Sequence, residues 1–101
     1  MGRASRKSAN SLAEKLKLIR EEFDFSQNQM LVKLGLGGEE GLFRSSISGY
    51  ELGTRIPPFK VLLAYAKLAN VYVDVLINDE LDLPEQIPSR EKSCGILRNT
   101  W

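Results

Sequence analysis

Residues 47–57 read Ile-Ser-Gly-Tyr-Glu-Leu-Gly-Thr-Arg-Ile-Pro, and they carry the most informative helix signals of the sequence. Together with Phe43, Ile47 and Tyr50 recur at spacings of four and three, which places them on one face of a helix. Gly53 stands where a helix commonly ends in the left-handed conformation. Pro57 cannot continue a helix but suits the first turn of the next one. The stretch therefore predicts the end of a helix, a short connection and the start of another helix.

Two further helices are predicted before this stretch. Helix one should run from about 11 to 22, with Ser11 or Asn10 as N-cap and apolar residues at helical spacing. Ser26 can cap helix two, which should run from Gln27 to Leu34 and end at Gly35. The apolar residues that define these two helices are Leu12, Leu16, Ile19, Phe23, Met30, Leu31 and Leu34.

Two more helices are predicted after it. Helix four has a continuous apolar stripe and Asn70 as a tolerable left-handed cap, and 73–77 should form a short fifth helix. No segment alternates well enough to be a strand, apart from the ambiguous 71–77. The predicted core includes Leu12, Leu16, Ile47, Leu62, Leu63 and the aromatic residues Phe23, Phe25, Phe43, Tyr50, Phe59 and Tyr65.

The chain divides into three parts by composition. Residues 1–10 are small, polar and basic and predict a flexible arm, whereas 11–78 carry the helical pattern of one domain. Residues 79–101 contain Pro84, Pro88 and few apolar residues, so they predict a C-terminal tail that is disordered or binds a partner. The N-terminal twenty residues are strongly basic, which suits a phosphate backbone; their basic side chains are Arg3, Arg6, Lys7, Lys15, Lys17 and Arg20.

Composition also excludes several classes of function. The chain has 101 residues, 43% of them hydrophobic and 27% charged, which is typical of one soluble globular domain. It has no histidine, no nucleophile-and-base spacing, no phosphate-binding glycine motif and no cluster of metal ligands, so we expect neither an enzyme nor a cofactor or metal. No segment is apolar enough to span a membrane or to act as a secretory signal. Cys94 is the only cysteine, which favours the reducing cytoplasm.

Residues 12–77 resemble the Cro and phage-repressor helix-turn-helix family, also called XRE-type. Three features carry the resemblance in order: Ser26-Gln27 at the start of helix two, 47–53 at the end of helix three, and Arg55-Ile56-Pro57 before an apolar helix four. The resemblance implies a compact, all-α, five-helix domain of the lambda-repressor type. It also implies a small transcriptional regulator that binds duplex DNA sequence-specifically.

The resemblance further implies roles for individual residues. Helix three, at about 43–52, would lie in the major groove, where each base pair displays a distinct pattern. The candidates for contact with base edges are Arg44, Ser45, Ser48 and Gly49, although Gly49 stands where the family often has a base-reading side chain. The candidates for contact with phosphates are Gln27, Asn28, Thr54 and Arg55. Arg20 and Glu51 match a pair that often joins helix one to helix three by a salt bridge.

The sequence departs from the family between helices two and three. Leu31 replaces a small residue, and 37–42 make the turn several residues longer than usual. The extra residues either loop out, or Gly38 caps an earlier start so that helix three gains a turn containing two glutamates. The glycines favour the loop, because each costs a helix about 1 kcal/mol relative to alanine.

These observations leave more than one kind of partner open. A repressor or activator of this size is expected to act as a homodimer on a pseudo-palindrome, through Tyr72, Val75 and Ile77 or through the tail. In a variant of this hypothesis the chain is an antitoxin, and the tail binds a toxin. The alternative is a protein-interaction module of the same fold that has lost DNA binding, which is favoured by Glu39, Glu40, Gly49 and Leu52.

Overall fold

The computed structural model describes residues 11–35 and 43–97, and this part of the chain contains five α-helices, as predicted. Each predicted helix is present, with bounds within one or two residues of those expected. The helices are α1 (Leu12–Glu22), α2 (Gln27–Lys33), α3 (Arg44–Leu52), α4 (Phe59–Ala69) and α5 (Val73–Ile77).

Reciprocal capping fixes the starts of the first two helices. The Ser11 hydroxyl accepts a hydrogen bond from the backbone N–H of Glu14, and the Glu14 carboxylate accepts one from the Ser11 N–H. Ser26 and Gln29 make the same pair of bonds at the start of α2. Such a capping box satisfies two backbone donors that the helix itself leaves unpaired, so it stabilises the helix at a defined first residue.

The predicted helix ends are also present. Gly53 closes α3 with φ of 81°, and Asn70 closes α4 with φ of 58°, both in the left-handed region. Gly35 follows α2 with φ of 75°. Residues with a Cβ pay a steric cost in this region, except that asparagine tolerates it better than most.

The turn between α2 and α3 can be described at its two ends. The third helix begins at Arg44, and Phe43 before it is extended, with φ of −132° and ψ of 173°. The alternative prediction, in which Gly38 caps an earlier start of helix three, is therefore wrong. Residues 36–42 lie outside the described residues, as do the N-terminal arm 1–10 and residues 98–101.

One continuous apolar core lies between the helices. Leu31 is buried in it, so the large residue at this position of α2 is accommodated by packing. The prediction of core positions is wrong for Phe43, Phe59 and Leu63, which are exposed because periodicity indicates a face without indicating how much of it is covered. The fully buried apolar side chains are Leu16, Ile19, Met30, Ile47, Val61, Tyr65, Ala69, Val75, Leu76 and Leu83.

Lys15 is fully buried and is therefore not part of a basic surface, contrary to the prediction from charge distribution. Its ammonium group donates hydrogen bonds to the backbone carbonyls of Val75 at 2.7 Å and Asn78 at 2.9 Å. These carbonyls end α5 and have no partner within the helix, so a cation is well suited to them. Lys15 thus fastens α5 to α1.

The segment after α5 differs most from expectation. Residues 79–101 were predicted as a tail, and no strand was predicted there, but Leu81–Asp82 (β1) pairs antiparallel with Ile96–Leu97 (β2). Leu83 and Ile87 enter the core, which explains why the segment packs on the domain.

Hydrogen bonds to the end of α4 hold the same segment in place. The Ser89 N–H donates to the Ala69 carbonyl at 3.0 Å, and the Asn70 side-chain amide donates to the Ser89 carbonyl at 2.7 Å. The Ser93 N–H donates to the Asn70 carbonyl at 3.1 Å. The segment is therefore part of the domain up to residue 97.

Candidate nucleic-acid interface

A buried ion pair fixes the orientation of α3 relative to α1. The Arg20 guanidinium donates to both carboxylate oxygens of Glu51, from Nε at 2.7 Å and from Nη2 at 3.0 Å. The Glu51 side chain is 4% exposed and the Arg20 side chain 16%. Arg20 also donates from Nη1 to the Phe25 carbonyl at 2.7 Å, which ties the connection after α1 to the same group. The hydrogen bond to Glu51 is the main reason why the pKa of Arg20 is raised above its ordinary value.

Gln27 extends this network to α2. Its amide nitrogen donates to Glu51 Oε1 at 3.3 Å, and the side chain is half-buried. Glu51 lies in the last turn of α3, whereas Gln27 is the first residue of α2. The start of α2 and the end of α3 therefore meet at one place. Hydrogen bonds to Glu51 connect α1, α2 and α3 there.

The two faces of α3 differ sharply in their surroundings. Ile47 and Tyr50 are buried and anchor the helix in the core, as predicted. On the other side Arg44 and Ser45 are exposed and Ser48 is half-buried. These three predicted base-contacting residues lie where a ligand could reach them.

Gly49 is placed differently from the other members of that set. It is buried, and the side chain of Arg55 lies over it. A residue without a side chain and without exposed surface has no means of contacting a base edge in this conformation. Gly49 is covered because the connection after α3 folds back over it.

The predicted phosphate-contacting residues lie at the ends of α2 and α3. Asn28 is exposed in the first turn of α2, beside the half-buried Gln27. Thr54 and Arg55 are exposed in the connection after α3, and the Thr54 hydroxyl lies 3.4 Å from the Gly49 carbonyl. Because the start of α2 meets the end of α3, these four residues belong to one end of the helix pair.

Ser46 holds the start of α3 and was missed in the sequence. It is fully buried, and its hydroxyl accepts a hydrogen bond from the Phe43 N–H at 3.1 Å. This bond satisfies a backbone donor next to the first turn, so it stabilises the start of α3 at Arg44. The signal in the sequence is a serine three residues after the helix boundary, which is a weak signal by itself.

Two large apolar side chains interrupt the polar surface near the end of α3. Leu52 is 73% exposed and Ile56 is 90% exposed. Single exposed apolar residues are common on protein surfaces. Here, however, they lie close to the predicted DNA-contacting residues, so any ligand on this surface meets apolar as well as polar groups.

The described part of the chain contains neither a group of metal ligands nor a membrane-spanning helix. Among residues 11–35 and 43–97, no group of histidine, cysteine and acidic side chains is arranged to hold a metal ion. Within the same ranges no helix has the length and apolar character needed to cross a bilayer. Cys94 is exposed and unpaired.

Two adjacent helices, the second anchored on one face and polar on the other, are an arrangement found in helix-turn-helix DNA-binding domains. A family model described as a helix-turn-helix domain matches residues 13–80, and the chain belongs to this family. Membership indicates a DNA-binding regulator in general terms, and domains of this kind are typically not enzymes. Searches of the curated proteins and of the solved structures found no match to this chain.

Proposed function

We propose that this protein is a transcriptional regulator that reads duplex DNA by placing α3 in the major groove. The observation that carries the proposal is the surface of α3, where Arg44, Ser45 and Ser48 face away from the core. The major groove of B-DNA is about 12 Å wide, which admits one α-helix. Arg44 in the first turn has the fork of donors that guanine O6 and N7 accept.

The backbone contacts would come from the end of the helix pair described above. Asn28, Thr54 and Arg55 are exposed there, and Gln27 keeps a second amide hydrogen besides the one donated to Glu51. Contacts to phosphates fix the register of a protein on DNA, whereas contacts to base edges specify the sequence. The Arg20–Glu51 ion pair serves this function indirectly, because it holds α3 in one orientation relative to α1.

The active form is proposed to be a homodimer on a pseudo-palindromic site. One small domain covers little DNA, and two copies on half-sites about one helical turn apart bind more tightly and more specifically. Val75 is fully buried and drops out of the predicted dimer contact, whereas Tyr72 and Ile77 are exposed. Ile96 and Leu97 of β2 add exposed apolar side chains that were not part of the prediction.

A protein-interaction module is the second candidate, and it is favoured by the exposure of Leu52 and Ile56. Apolar side chains at this position are better suited to a protein surface than to a phosphate backbone. The antitoxin variant has less support, because it uses residues 79–101 for a partner and 79–97 pack on the domain itself.

Binding to a fluorescently labelled random-sequence duplex, followed by anisotropy at two salt concentrations, tests the proposal. Binding of cationic side chains to phosphates releases counterions from DNA, so raising the salt from about 50 mM to about 200 mM should weaken binding. Arg44→Ala should weaken binding, whereas Arg90→Ala, an exposed arginine on the C-terminal segment, should leave it unchanged.

The two candidates separate clearly in this assay. If wild type shows no binding at the lower salt concentration, DNA binding is refuted and the protein-interaction module is favoured. Equal effects of the two arginine substitutions would mean that any binding is non-specific attraction to the positive charge of the whole protein.

A further inference from the structure

Position 49 lies on the side of α3 that faces away from the core. Gly49 follows Ser45 by four residues and precedes Leu52 by three, and residues at these spacings share one side of a helix. Ser45 and Leu52 are both exposed, yet Gly49 between them is buried. Something other than the core must cover it.

The cover is the aliphatic part of Arg55. A Cβ added to Gly49 would lie 2.8 Å from both Cγ and Cδ of Arg55 and 3.2 Å from its Cβ. Contacts of 2.8 Å are closer than carbon atoms approach without a shift. Any side chain at position 49 would therefore displace Arg55 from the helix.

The connection after α3 holds Arg55 in this position. The left-handed Gly53 turns the chain back, and the N–H groups of Thr54 and Arg55 both donate to the Gly49 carbonyl, at 3.0 Å and 3.2 Å. The side chain then runs along α3 toward its first turn, where Nη1 lies 3.4 Å from the hydroxyl of Ser46. The guanidinium thus stands beside α3 at Ser46, three residues before Gly49.

The positive charge of Arg55 acts on the neighbouring Tyr50. Burial raises the pKa of Tyr50, and the positive charge of Arg55 opposes that rise. Arg55 nevertheless remains exposed, and its pairing with the Ser46 hydroxyl is long for a hydrogen bond. Its donors are therefore free to exchange this weak contact for a stronger acceptor.

We propose that Gly49 and Arg55 form one reading element, that is, two residues that together contact one base. Because Gly49 has no side chain, Arg55 can lie against α3 from the connection. Its side chain takes the place that a side chain at position 49 would occupy. The ligand of this element is an acceptor pair on a base edge in the major groove, with guanine O6 and N7 as the best fit to a guanidinium. The inference rests on the proposed function and deepens it. It replaces the phosphate contact that the family resemblance implies for Arg55.

A double-mutant cycle on DNA affinity tests the coupling between the two residues. The probe is the duplex that wild type enriches from a random pool, and the proteins are wild type, Gly49→Ala, Arg55→Ala and the double variant. We expect Gly49→Ala to weaken binding about tenfold when Arg55 is present and to have little effect when residue 55 is alanine. Far-UV circular dichroism of each variant shows that the helices are retained, which is expected because alanine favours a helix over glycine.

Base substitutions in the probe distinguish a base contact from a phosphate contact. Arg55→Lys keeps the aliphatic part and the charge but lacks the fork, so it should relax the preference at one base pair of each half-site and preserve most of the affinity. A uniform loss of affinity on every sequence for Arg55→Ala would make Arg55 a phosphate contact and overturn the inference.

The remaining outcomes also decide the matter. Equal effects of Gly49→Ala in both backgrounds would show that the two residues act independently, which contradicts the inference while leaving the proposed function intact. If wild type enriches no duplex and binds none, the proposed function fails first, and the reading element fails with it.

Discussion

Replacing Arg20 by methionine should destabilise the domain by about 3 kcal/mol. The Glu51 carboxylate, 4% exposed, would lose its bonds at 2.7 Å and 3.0 Å and keep only the Gln27 amide at 3.3 Å. Removing one partner of a buried ion pair costs about 3–5 kcal/mol, because the remaining charge is buried without compensation. The lower end applies here because the Arg20 side chain is 16% exposed, so water can partly replace it.

Urea unfolding followed by far-UV circular dichroism measures this loss, with Lys17→Met as the matched control on an exposed position of α1. The control should change the free energy of unfolding by less than about 0.5 kcal/mol. The double variant with Glu51→Met should be more stable than Arg20→Met alone, because no unpaired carboxylate remains. If Arg20→Met costs no more than the control, or the two substitutions are additive, the ion pair does not hold α3 as argued.

Three further predictions concern stability. Tyr65→Phe should leave the domain as stable or raise its free energy of unfolding by about 1 kcal/mol, because the buried hydroxyl has no hydrogen-bond partner in the described part of the chain. Burial and then the charge of Glu51 raise the pKa of Tyr65, so the folded state keeps a proton that the unfolded state loses above about pH 10. Stability should therefore fall as the pH rises through this region, and urea titrations should show a smaller fall for Tyr65→Phe; an unchanged fall would contradict the assignment. Lys15→Met should cost about 2 kcal/mol in the same assay, because the Val75 carbonyl loses the ammonium donor and the Asn78 carbonyl keeps only the Leu81 N–H. A cost near zero would mean that the buried ammonium is dispensable. Gly95→Ala should destabilise more than Gly35→Ala, since both glycines have positive φ but only at Gly95 would a Cβ lie 2.5 Å from the Asp82 carbonyl oxygen; equal thermal shifts would show that β1 and β2 do not pack as described.

The helices and their caps could be predicted because their signals are local. Ser26 stands directly before the first residue of α2, and Gly53 follows the last apolar residue of α3. Each signal involves a few neighbouring residues and one backbone conformation. The Arg20–Glu51 pair joins distant parts of the chain, and only the family resemblance implied it.

The rest depends on contacts between distant parts of the chain. Leu83 and Ile87 enter the core only because 79–97 fold back on α4, and two apolar residues among prolines do not predict that path. The cover of Gly49 by Arg55 likewise depends on the course of the connection after α3. Lys15 was different, because it follows Leu12 by three residues on the apolar stripe, and that spacing was a usable sign of burial.

The mixture of surfaces around α3 has a consequence for specificity. Arg44 and Arg55 offer forked donors, whereas Leu52 offers only apolar contact, which on DNA suits the methyl group of thymine. A site read by this surface should therefore combine guanines with thymines. The same Leu52 would instead weaken binding to an unselected phosphate backbone, which makes sequence selectivity a stricter test than affinity.

Selection of duplexes from a random-sequence pool, carried out with wild type and with Arg44→Ala, shows whether α3 reads DNA. Wild type should enrich a symmetric motif, and Arg44→Ala should enrich the same motif with one base pair in each half-site relaxed. If wild type enriches no motif, or if Arg44→Ala enriches an identical one, then α3 does not read DNA through its first turn.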